Sequence, residues 1–143
     1  MNNTTTNLIE SLGSRGEKNL RENLDPAEKI LVKLRGVFGQ GLVLTDKHLY
    51  ILKWGYMTGN TFGARCSVFN FKDIVGLETK KNFSTGILEV LTAATKDANL
   101  SYWRQNQNSA TKSNYSIAFT NAKFPQFQQA TIHARSLIST AKS

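Results

Sequence analysis

The sequence is poor in the residues that usually carry chemistry. It has one cysteine, Cys66, so it has neither a disulfide framework nor a paired-cysteine metal pattern. Its two histidines, His48 and His133, stand without motif partners, and neither an HExxH nor a GxSxG is present. Gly36, Gly39 and Gly41 are not followed by Lys-Ser/Thr or by a helical pattern, which excludes a phosphate loop. Asp25, Asp46 and Asp73 fall at expected turns or helix ends, where aspartate is common for structural reasons. No apolar run approaches the ~18 residues of a membrane-spanning helix. The opening MNNTTTNLIESLGSRGEKNL has no basic stretch followed by an apolar core, so it does not read as an export signal. The expectation is a cytoplasmic protein that is not an enzyme and has no metal or cofactor.

The charge is plentiful but uneven. The chain carries 18 Lys+Arg against 10 Asp+Glu, a net +8. Residues 1–28 hold three bases and five acids, and residues 29–143 hold fifteen bases and five acids. The basic excess therefore belongs to the part that reads as folded sheet. With 143 residues and 40% apolar content, the chain fits one domain with a real core.

Residues 1–23 read as a polar arm, helical in part or disordered. Thr6 or Asn7 suits the start of a short helix over 7–12. Gly13 and Gly16 interrupt the pattern, a second short helix fits 17–23, and Asp25-Pro26 closes it. From Lys29 the apolar period becomes two. Ile30, Val32 and Leu34 fall on one face of a first strand, with Lys29, Leu31, Lys33 and Arg35 on the other. Residues 41–45 and 48–54, joined by Asp46-Lys47, make an antiparallel hairpin with Leu44, Leu49 and Ile51 inward. Further strands are expected at 66–71, 74–80 with a bulge or bend at Gly76, 87–94, and 115–120. The segments 55–65, 82–86 and 96–114 read as loops. The period then shifts to 3.6, and Phe124, Phe127, Ala130, Ala134, Leu137, Ile138 and Ala141 define an amphipathic helix over 125–141 with Pro125 in its first turn. By element count this is an α+β, mainly β, fold. Its seven antiparallel strands are expected to form a barrel of two near-orthogonal sheets, capped by the C-terminal helix.

Three segments strengthen that reading. Leu24-Asp-Pro-Ala-Glu-Lys-Ile30 resembles the L-x-P-G-E-x-I entry into the first strand of the pleckstrin-homology (PH)-like superfold, with Ala27 where glycine is frequent. Leu42-Val-Leu-Thr-Asp-Lys-His-Leu-Tyr-Ile51 resembles the second hairpin of its bacterial PH and GRAM-like branch. Phe69-Asn-Phe-Lys-Asp-Ile-Val-Gly-Leu-Glu78 resembles the strand pair that follows. The resemblance covers about residues 24–141 and implies a PH-like domain over 24–143.

What the resemblance implies is a binding platform. Head-group sites in PH-like folds use bases in the first hairpin. Here Lys33 and Arg35 share a strand face, but residues 41–45 hold no base, so a specific phosphoinositide site is not expected. Lys47, Lys53 and Arg65 extend the candidate set for a diffuse anionic-lipid surface. Tyr56, Met57 and Phe62, set among glycines, are candidates for an interface. Tyr102 and Trp103, beside Arg104, are candidates for an interface or for stacking a base. The leading expectation is a protein-binding or self-associating module, because PH-like folds accept peptides and subunits between a sheet edge and the C-terminal helix. A peripheral membrane adaptor is the first alternative. A small-ligand or nucleic-acid binder is the second.

Overall fold

The computed structural model describes residues 7–55, 63–81, 83–93 and 113–143. The interface candidates Tyr56, Met57, Phe62, Tyr102 and Trp103 lie outside these residues. The fold is α+β and mainly β. After helix α1 (Gly13–Asn23) come β1 (Ile30–Arg35), β2 (Gln40–Thr45), β3 (His48–Trp54), β4 (Ala64–Asn70), β5 (Ile74–Lys81), β6 (Thr85–Thr92), β7 (Ser116–Thr120) and helix α2 (Phe124–Ala141). Single 3-10 turns, Phe71–Asp73 and Asn121–Lys123, precede β5 and α2.

Seven strands form two antiparallel sheets, in the orders β1-β2-β3-β4 and β5-β6-β7. Among the described residues no ladder joins the sheets, so they are not closed into the expected barrel. Their inner faces meet in one core, where Val32, Leu34, Leu44, Leu49 and Ile51 oppose Leu77, Leu88, Val90, Ile117 and Phe119. The amphipathic α2 seals this core with Phe127, Ala130 and Ala134. Phe127 stacks on Phe119 with ring centroids 3.9 Å apart.

The outer face of the four-stranded sheet is covered too, by the arm that precedes β1. Residues 7–12 are not helical; Ile9 instead pairs in parallel with Lys33 beside β1. Helix α1 then starts at Gly13 and continues without a break past Gly16 to Asn23. Packing outweighs the helix cost of glycine, ~1 kcal/mol per residue. A Cβ on Gly16 would stand 2.6 Å from the Trp54 ring and 2.6 Å from Leu12 Cβ, so only glycine lets the helix lie this close. Beneath it Leu12, Leu20, Val43, Tyr50, Leu52 and Trp54 form a second apolar cluster.

Two bulges adjust the strand faces. Register shifts between Ile30 and Val32, so two residues of β1 oppose one of β2. Ile30 consequently packs with the outer cluster and Leu31 against the main core, the reverse of their simple alternation. A second shift between Ile74 and Gly76 matches the irregularity expected at Gly76, and it lets Ile74 and Leu77, three residues apart, both face the core. Strand β6 starts at Thr85, inside the expected turn, where Thr85 pairs with Thr120.

Candidate functional site

The basic candidates are scattered, apart from Lys53 and Arg65, which are cross-strand neighbours. Lys33 is paired to Glu17 of α1 at 2.9 Å, so its charge is used within the fold. Arg35 is exposed at the end of β1, where its N–H donates to Glu10 Oε1 and its carbonyl accepts from Lys123. Lys47 is exposed at the β2–β3 turn. Arg35 pairs with Gly41 and Lys47 lies two residues after Thr45, so β2 separates them. Five residues of strand span roughly 17 Å.

Lys53 lies inside the molecule at 1% exposure, which removes it from any surface. Its Nζ donates to Gln40 Oε1 and to Ser116 O, both at 2.6 Å. Gln40 Oε1 also accepts from Ala118 N–H at 3.1 Å. A polar seam thus ties β2 and β3 of one sheet to β7 of the other. Burial, and then the like charge of cross-strand Arg65, bring the Lys53 amine down to about 6.

Glu28 forms a second buried polar cluster. Its side chain is 3% exposed, and its carboxylate accepts from Thr45 Oγ1 at 2.6 Å and Tyr50 OH at 2.9 Å while meeting His48 Nδ1 at 2.7 Å. The Glu of the segment before β1 is thereby joined to the Thr, His and Tyr of the second hairpin. Burial raises the Tyr50 phenol above its ordinary value, and the adjacent Glu28 carboxylate opposes its ionisation further. Asp46 Oδ1 accepts from Lys29 N–H at 2.9 Å beside it. The cluster fixes the linker between α1 and β1 to the sheet.

Two clefts lie along α2, besides one of about 270 Å³ beside α1. One cleft of about 520 Å³ sits between the β2–β3 turn, the Phe71–Asp73 turn and the end of the helix. It mixes Lys47 and Lys72 with Asp46 and Asp73, so it presents no single charge. On the other flank is a groove of about 310 Å³ whose walls are β5 (Ile74, Val75, Gly76, Leu77) and the end of α2 (Arg135, Ile138, Ser139) with its C-cap Lys142. Among the described residues β5 pairs only with β6, so it is an edge strand there. Val75 stands 53% exposed in this groove. None of its residues was singled out from the sequence as a site. The signal was present in the apolar Ile74-Val75 pair followed by Gly76, and in two cations seven positions apart on the last helix.

The chain matches no family model, no curated protein and no solved structure.

Proposed function

We propose that the protein is a non-enzymatic, PH-like interaction module, its two sheets near-orthogonal, that takes an extended segment of a protein partner into the groove between β5 and α2. The observation that carries this reading is an edge strand with an exposed apolar residue, Val75, set beside a helix across a groove of about 310 Å³. An extended chain fits such a site because a strand and a helix wall offer alternate side-chain pockets along a straight path. The order of seven antiparallel strands and a final helix supports the PH-like assignment. So does the Glu28 cluster, which joins two of the three segments that carry the resemblance. Catalysis is left out because the Glu28 carboxylate beside His48 is committed to Thr45, His48 and Tyr50.

Selection of displayed peptides against the full chain tests the reading, followed by amide mapping of the synthetic winners by NMR. Shifts concentrated at 74–77 and 135–142, lost in Val75→Glu without a change in Tm, are the expected result. Winners that map to another surface, or no winners, would refute it.

A further inference from the structure

We propose that the β5–α2 groove selects acidic extended segments, whose carboxylates meet Arg135 and Lys142. This rests on the groove reading above and narrows its partner.

The two cations are held at the ends of the groove. Arg135 Nη2 donates to Leu77 O at 2.7 Å, and Lys142 Nζ donates to Ile74 O at 2.6 Å. The seven residues from Arg135 to Lys142 rise ~10.5 Å in helical geometry. The higher-numbered cation meets the lower-numbered strand residue, so the end of the helix runs beside β5 in the opposite direction, with a cationic bridge at each end. Between the bridges, the lining residues Val75, Gly76, Ile138 and Ser139 carry no charge. Among the described residues no carboxylate lines the groove. Asp73 and Glu78 bracket the strand segment but stay outside it, and Asp73 lines the cleft on the opposite flank, where it accepts from Asn70 Nδ2 at 3.2 Å.

The bridges also decide how a ligand is read. With the carbonyls of Ile74 and Leu77 bonded to α2, an incoming chain does not gain a full backbone ladder on β5. Side chains must supply the affinity. A guanidinium has five N–H donors and an ammonium three. One bond from each to β5 leaves donors for a ligand carboxylate without releasing the strand. The occupant is therefore an extended segment with an apolar residue over Val75 and Ile138, flanked by Asp or Glu about 10 Å apart, which is about three residues of extended chain.

Three fluorescein-labelled synthetic peptides of one β-branched apolar sequence test this, carrying a Glu pair, a Gln pair or a Lys pair at that spacing. They are titrated against the full chain by anisotropy, with amide mapping in parallel. The Glu peptide is expected to bind at least tenfold more tightly than the Gln peptide, to shift amides at 74–77 and 135–142, and to weaken at high salt. The preference should vanish in the Arg135→Gln/Lys142→Gln double variant and persist in the charge-keeping Arg135→Lys/Lys142→Arg swap. Equal binding of Glu and Gln peptides in the groove overturns the charge selection and leaves the groove reading standing. Absence of shifts at 74–77 with every peptide overturns both. A Glu preference that survives the double variant, or binding only to vesicles containing anionic phospholipid, also overturns the proposal.

Discussion

Glu28 and His48, twenty residues apart, meet at 2.7 Å over a carboxylate that is almost wholly buried. The same carboxylate serves Thr45 and Tyr50, so three groups from the second hairpin converge on one residue of the linker before β1. Glu28→Ala removes the acceptor of the buried Tyr50 hydroxyl and leaves the buried Thr45 hydroxyl only its bond to His48 O. The expected loss is about 2–4 kcal/mol, since buried polar groups left unpaired cost more than a bond contributes. Urea denaturation measures it. A cycle with Tyr50→Phe should give a coupling of at least ~0.5 kcal/mol, and strict additivity would show that the cluster is not cooperative.

Lys53 makes stability depend on pH in a definite sense. Its folded pKa, about 6, is below the ordinary value of a free lysine, ~10.4. Below about pH 6 both folded and unfolded chains hold the proton, and the full penalty of a buried charge applies. As pH rises above 6 the folded state sheds its proton first, so the penalty is relieved and stability rises. The contribution to the slope is at most ~1.4 kcal/mol per pH unit. Cys66, pushed up by burial to about 11, acts in the opposite sense above its ordinary pKa, ~8.5, so the window to use is pH 6–8. Denaturation series across that window should show the slope in the native chain and its loss in Lys53→Met.

Glu10 gives the acid side. Burial works to raise its pKa, but the Arg35 N–H, Lys123 and Gln126 together outweigh it and hold the carboxyl below its ordinary value. Stability from Glu10 is therefore present above about pH 4.3 and lost as pH falls through the folded pKa. Glu10→Gln should cost about 1–2 kcal/mol at pH 7. The gap to the native chain should narrow at pH 3, and a gap independent of pH would count against the ionic role.

Gly16 reverses a common rule. Alanine in place of glycine inside a helix ordinarily gains ~0.8–1 kcal/mol. Here the new methyl collides with Trp54 and with Leu12 Cβ. Gly16→Ala should lower stability by about 1–3 kcal/mol. In a Trp54→Leu background, which removes the contacted ring, the part of that loss due to the ring should disappear, while the part due to Leu12 Cβ remains. The comparison of melting temperatures across the four chains decides it.

Much of this architecture is written in local pattern. The 3.6 spacing from Phe124 to Ala141 and the alternation of Leu44, Leu49 and Ile51 lead to elements that the structure contains. The cover over the outer face was harder to see, because α1 is polar and carries two glycines. The clue lay in β3, which is apolar at both parities: Leu49 and Ile51 on one face, Tyr50, Leu52 and Trp54 on the other. A strand of that kind needs cover on both sides. The bulge at Leu31 leaves no mark in a hydrophobic pattern, so simple alternation puts Ile30 on the inner face, whereas it packs in the outer cluster. Lys53 read as a surface base because its burial depends on Gln40 and Ser116, 13 and 63 residues away. The groove depends on α2 lying along β5, a long-range relation that no short window contains.

The hydrogen bonds between Gln126 and both Asn7 and Glu10, with the Glu10–Lys123 pair, have a consequence for biosynthesis. They join partners more than 110 residues apart in a chain of 143. A ribosome delivers residues at ~5–20 per second. The segment 7–10 therefore waits seconds beside β1 before its last partners emerge. Sheet and arm can assemble during synthesis, but this closure is completed only after α2 has left the exit tunnel.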